Sequence, residues 1–188
     1  MNQLNLPIVI FYFLLMALFP LQTLGAEDSY ISEVRIFADA GDSESQFALA
    51  LLYEYGGEGI MRDQEQSLIW FEKAGRADVA GACLYLGIKF ENGSGVKQDY
   101  NKAARWYECA ARQDWPAAQF FLARLYREGK GVQQSIIMAL AWLGLAAEQA
   151  YPDSEEEYTK LLMTVDSLDI NVLKEKQKCF LQEKRHCN

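Results

Sequence analysis

The stretch AGACLYLGIKFENGSGVKQDYNKAARWYECAARQDW, residues 80–115, joins two helical patterns through a glycine-rich break. Its first half places Ala82, Leu86, Gly87 and Phe90 at i, i+4, i+5 and i+8, one stripe of a helix whose small members let a neighbour approach closely. Asn92-Gly93-Ser94-Gly95 ends that helix, because glycine adopts the left-handed backbone that a helix terminus and a tight turn require. Asp99 stands where a carboxylate caps the next helix, and Ala103, Trp106, Tyr107 and Ala110 form that helix's buried stripe. The segment reads as a hairpin, helix A followed by helix B. In such an antiparallel pair, residues whose numbers sum to about 192 stand at one height: Ala82 beside Ala110, Leu86 beside Trp106, Phe90 beside Lys102.

The hairpin recurs on both sides. SQFALALLYEYGGEGIMRDQEQSLIWFEKAGRADV (45–79) precedes it and PAAQFFLARLYREGKGVQQSIIMALAWLGLAAEQAY (116–151) follows it. Trp70, Trp106 and Trp142 are spaced by steps of 36 residues, as are Gly57, Gly93 and Gly129, Gly59, Gly95 and Gly131, and Ala74, Ala110 and Ala146. Tyr53, Phe90 and Tyr126 complete the pattern before the glycines, with one extra residue near Gly56 in the first copy. A period of this length marks a stack of supersecondary units. The flanks read as caps: 26–44 holds a lone helix over about 28–40, with Ile31, Val34, Ile36 and Phe37 facing the first repeat. In 152–188, Ser154 and Glu157 compose a capping box opening a helix with Tyr158, Leu161, Leu162 and Val165. A charge-rich helix over about 171–184 follows, burying Val172, Leu173, Phe180 and Leu181.

Residues 1–25 are of another kind. They carry no charged side chain, and Pro7 to Phe19 is an apolar run of 13 residues, the length of a signal-peptide core rather than of a membrane span. Thr23 and Gly25 suit the positions a signal peptidase reads before Ala26. The expectation is a cleaved signal peptide and a periplasmic or secreted protein; an uncleaved N-terminal anchor is the alternative, and the membrane is otherwise no partner.

Composition narrows the function. At 188 residues the chain has room for one domain or a short array, and 51% hydrophobic against 23% charged residues excludes a disordered chain. The formal charge of -8 repels phosphate backbones, so nucleic acid is an unsuitable partner. The single histidine, His186, leaves almost nothing for imidazole catalysis. Cys179, His186 and Cys187 lack the paired spacing of a structural zinc site, and Gly93-Ser94-Gly95 neither follows a strand nor precedes the Lys-Ser/Thr of a nucleotide loop. Glu155-Glu156-Glu157 reads as a solvated first helical turn. No cofactor, metal or catalytic residue is expected.

Four cysteines in an exported chain permit disulfides, with three possible pairings. The numbers 83 and 109 sum to 192, so Cys83 and Cys109 stand at one height in their hairpin, and a bridge there would restrict the unfolded chain by roughly 3 kcal/mol. The other reading of Cys83 is a small buried hydrophobe. Cys179 and Cys187 pair only if the last helix unwinds after about Lys184 and folds back.

The second copy resembles the Sel-one-like repeat family, relatives of tetratricopeptide repeats, through Ala82, Leu86, Gly87, Phe90, Gly93, Gly95, Val96, Asp99, Lys102, Ala103, Trp106 and Ala110-Ala111. Ser45 and Ala50, Ala123 and Ser135 depart from the pattern, as do Asp78, Asp114 and Ala150 where the family usually places glycine between hairpins. The resemblance implies an all-α fold, a right-handed α-solenoid of three helix-turn-helix repeats with helical caps at both ends. It also implies that A helices line a concave groove, here through Phe47, Leu51, Glu54 and Tyr55, then Leu84, Ile88, Glu91 and Asn92, then Phe120, Arg124, Arg127 and Glu128. Such a groove suits a peptide segment of an envelope or secreted protein, anchored by Phe47, Ile88 and Phe120 and oriented by Arg124 and Arg127. The competing reading has these residues pack on one another or under a terminal cap. Trp115 lies between hairpins as a linker residue or an exposed contact. The expected function is a non-enzymatic scaffold of the bacterial cell envelope. The alternative is an envelope enzyme or β-lactam or peptidoglycan-fragment binder like cysteine-rich family members, whose cysteine spacing this chain does not share.

Overall fold

The structure is a computed structural model that describes residues 30–57 and 59–165, with residues 171, 172, 174 and 175 beyond them. The first 25 residues, Cys179, His186 and Cys187 lie outside the described residues. The chain runs through α1 (residues 30–39), α2 (Ser43–Tyr55), α3 (Gln64–Arg76), α4 (Ala80–Asn92), α5 (Tyr100–Ala111), α6 (Pro116–Glu128), α7 (Ile136–Glu148) and α8 (Ser154–Leu162). Among the described residues there is no strand, only an isolated bridge between Gly57 and Ile60 that closes the longer turn of the first hairpin. Each of α2, α4 and α6 packs on the helix that follows it, and α3, α5 and α7 pack on the start of the next unit, so the array is an all-α solenoid of helix-turn-helix repeats.

The B helices start where the sequence supplies a side-chain acceptor. Asp63 accepts from the N–H groups of Glu65 and Gln66, Asp99 from Lys102 and Ser135 from Met138, each satisfying an otherwise orphaned first-turn donor. The carbonyl of the aromatic residue in each A helix holds the cap in place: Asp63 N–H donates to Tyr53, Asp99 to Phe90 and Ser135 to Tyr126, at 2.8, 2.9 and 2.9 Å. The second and third A helices have no side-chain cap. They spring from a tight turn in which Asp78 and Asp114 take φ of 59° and 60°, and the following Val79 and Trp115 donate back to Ala74 and Ala110.

α8 departs from expectation. Ser154 is the first helical residue rather than the cap; its hydroxyl donates to the Tyr151 carbonyl at 2.5 Å, and the cap position falls to Asp153 at φ 63° without a side-chain bond. Beyond the turn at Ala150, a further left-handed residue, Asp153, stands directly before the helix and places Ser154 inside it, so no capping box forms.

The core runs the length of the array as one cluster of buried alanines, leucines and aromatics, including Leu49, Phe71, Leu86, Tyr107, Leu122 and Leu140. Small residues let helices close on rings: a Cβ on Gly87 would lie 2.4 Å from the Tyr107 ring, and one on Gly81 would lie 2.6 Å from Phe47.

Candidate partner-binding face

The candidate residues occupy equivalent turns of three A helices: Phe47, Leu84 and Phe120; Leu51, Ile88 and Arg124; Glu54, Glu91 and Arg127; Tyr55, Asn92 and Glu128. Helical spacing of three to four residues gives each A helix one face. The structure engages much of that face internally.

Phe47 lies on the Phe71 and Tyr85 rings at centroid distances of 6.0 and 6.1 Å, and Phe71 and Tyr85 stack at 5.0 Å. Phe120 meets Phe121 at 5.9 Å and Tyr151 at 5.3 Å. Leu51, Leu84 and Ile88 are half-buried against the core. Tyr55 is 67% exposed, with its ring edge on Tyr85 and its hydroxyl 3.2 Å from that of Tyr85.

The charged positions form a ladder. Glu54 of α2 accepts from Lys89 of α4 at 2.6 Å and from Ser67 of α3 at 2.7 Å. Glu91 of α4 repeats this, accepting from Arg124 of α6 and from Tyr107 of α5, the latter at 2.6 Å. At the third step the sign reverses: Arg127 stands where the others hold glutamate, and it donates to Glu157 of α8 at 2.5 Å. Each carboxylate in the first two repeats therefore ties its own hairpin to the next A helix. Burial pushes the Glu54 carboxyl up, but the Lys89 and Ser67 hydrogen bonds and the Lys89 charge outweigh it and hold it below its ordinary value. The Tyr107 phenol is pushed up by burial first and then by its bond to Glu91. The Lys130 hydrogen bond, with the Lys130 charge and Arg127 behind it, holds the Glu128 carboxyl below its ordinary value against the opposing effect of burial.

Several members of this arrangement escape a reading of one helix face. Lys89 is 3% exposed, far from the usual habit of lysine. Its signal is positional: it occupies the place held by Leu52 and Leu125 in the other copies, and a charge at a core position calls for a partner. Glu157, expected in solvent, is half-buried against Arg127. Trp115 is 39% exposed and opens α6 with Pro116 at its first position.

In repeat two, Cys83 of α4 and Cys109 of α5 are joined as a disulfide with Cα atoms 5.9 Å apart. The positions equivalent to Cys83 are Gln46 and Gln119, whose amides donate to the Ala38 and Ala111 carbonyls of the preceding helices. Among the described residues no cluster of three or more His, Cys, Asp or Glu side chains is placed to hold a metal, and no helix is long and apolar enough to cross a membrane.

The family model described as Sel1 repeat matches residues 43–79, 80–115 and 116–151. Among solved structures, the chain is similar to a Sel1 repeat protein from Oxalobacter formigenes at 29% identity and a TM-score of 0.65, over 69% of this chain and 96% of that one. It is also similar to a protective antigen of uropathogenic Escherichia coli strains displaying an SLR fold, at 24% identity and a TM-score of 0.60. That match covers 82% of this chain and 41% of the antigen and speaks for the fold alone. No curated protein matches the chain.

Proposed function

We propose that this chain, which belongs to the Sel1 repeat family, holds an extended segment of another polypeptide along the face formed by α2, α4 and α6. Sel1 repeat proteins act in general as protein–protein interaction scaffolds rather than as catalysts. The observation that carries the finer reading is the ladder of Glu54–Lys89, Glu91–Arg124 and Arg127–Glu157, which fixes successive A helices before any partner arrives. A wall set in advance spares a binding partner the entropic cost of ordering it. Between the rungs run half-buried Leu51, Leu84 and Ile88, with exposed Tyr55 at one end, an apolar floor for alternate side chains of an extended segment. Because the arginines are already paired, the floor supplies affinity and the ladder supplies shape.

The uncharged, apolar segment of residues 1–25 supports export, and on that reading the partner is an envelope or secreted protein. A photo-crosslinking residue at Ile88 or Tyr55, introduced into the native chain, is expected to capture one or a few defined proteins by mass spectrometry. Equal recovery from Ile69, an exposed residue of helix α3, would overturn the reading. Fractionation of the native protein tests the location, and an N-terminus beginning at Ala26 is the expected product.

A further inference from the structure

A second site lies on the B-helix side, away from the ladder. Between α3 and α5 a cleft of about 510 Å³ is lined by Gly75, Asp78, Phe90, Lys102, Arg105 and Trp106. That size falls within the range of small-ligand pockets. We propose that this cleft binds a small aromatic carboxylate, its ring on Trp106 and its anionic end on Lys102 and Arg105.

The repeats supply their own control. One period further on, Lys102, Arg105 and Gly75 are replaced by Met138, Ala141 and Ala111, and Trp142 is sealed at 2% exposure. One period earlier, Trp70 is covered by Lys73, whose Nζ lies 3.5 Å from the ring centroid. Trp106 is half-buried and open to the cleft. Gly75 seats one edge of the Trp106 ring directly on α3, since a Cβ there would come within 3.0 Å of that ring and 2.8 Å of Leu86.

The charges give the ligand a direction. Glu72 is taken up by Arg76 at 3.0 Å. Among the described residues neither Lys102 nor Arg105 has a carboxylate within ion-pair distance; Lys102 Nζ lies only over the Phe90 ring, 4.9 Å from its centroid. Asp78 stands at the opposite end, its Oδ1 3.9 Å from Cys109 Sγ, and Cys109 is two helical turns, about 10 Å, beyond Lys102. An anion is thus drawn to the Lys102 end and repelled from the other, while the ring lies over the indole between them. A guanidinium accepts a carboxylate through two parallel hydrogen bonds, and an indole face suits a flat ring.

Titration of the full chain with 2-naphthoate, followed through the Trp106 indole N–H resonance and by calorimetry, tests this site. Replacement Trp106→Phe identifies the resonance. Naphthoate is expected to shift it, with 2-naphthamide and acetate ineffective at the same concentration. The double variant Lys102→Met, Arg105→Ala reproduces the third repeat, and loss of the charged contacts is expected to weaken binding about tenfold or more. Both side chains are exposed, so its thermal melt should match that of the parent; Arg105→Gln alone serves if it does not. No shift with naphthoate, an equal shift with the amide, or undiminished binding in the charge variants overturns the proposal.

Discussion

Ala150 turns the chain at φ 54°, a left-handed backbone that costs an L-residue with a Cβ roughly 1–2 kcal/mol. Asp78 and Asp114 make the same turn at 59° and 60°, but aspartate tolerates this region better because its short polar side chain bonds locally. Replacement Ala150→Gly is therefore expected to stabilise the protein by about 0.5–1 kcal/mol, after the added flexibility of the unfolded chain is deducted. Asp78→Gly and Asp114→Gly should gain less. Urea denaturation of the three variants checks the order, and a loss of stability in Ala150→Gly would contradict it. These three positions are legible in the sequence: the repeat places its inter-hairpin glycine there, and departure from glycine locates the strain without giving its sign. The exchange of Gln46 and Gln119 for Cys83 was legible only in half. The antiparallel register of the hairpin brought Cys83 level with Cys109, but the glutamine bonds to Ala38 and Ala111 depend on how one hairpin docks on the last.

At the level of helices, the ladder converts local charge into inter-repeat adhesion. Lys89 and Glu54 are both withdrawn from water, at side-chain exposures of 4% and 16%, so removing one partner strands the other. Lys89→Met is expected to cost about 3 kcal/mol, whereas the double variant Lys89→Met, Glu54→Leu should cost clearly less, because no buried charge is left alone. A double-mutant cycle from urea midpoints measures the difference; additive losses would mean that the pair contributes no coupling. The same carboxyl sets an acid limit. Glu54 titrates in the folded chain below its ordinary value of 4.5, so its contribution is complete above that value and is lost as pH falls through the folded one. Glu54→Gln should flatten the decline of stability over that window, and an unchanged slope would assign the decline elsewhere. The helices themselves were plain in the sequence, since apolar stripes, glycine breaks and Asp caps depend on neighbours along the chain. The ladder was not, because Glu54 meets Lys89 across 35 residues and nothing local to either residue announces the other.

Among the described residues the helices form a line of units that touch in order, so the cooperativity of the array is only as strong as each junction. Gly95 and Gly131 hold equivalent turns, both left-handed at φ 74° and 69°, yet they seat differently on the preceding B helix. A Cβ on Gly95 would lie 3.4 Å from the Gln64 side chain, which can swing aside; one on Gly131 would lie 2.1 Å from the Tyr100 carbonyl carbon and oxygen and 2.5 Å from the Asn101 nitrogen. Backbone cannot yield in that way without parting α6 and α7 from α5. Gly95→Ala should therefore cost about 1–2 kcal/mol, the strain of the turn alone, and leave one transition. Gly131→Ala adds a broken junction: α7 and α8 are expected to unfold first, giving two steps in chemical denaturation while the disulfide-joined second repeat persists. Amide exchange then rises in α7 and α8 and stays low in α4 and α5. Equal, single transitions in the two variants would mean that the junction at Tyr100 contributes no more than the turn itself, and that the stack is held by its helices rather than by the close seating of glycine on backbone.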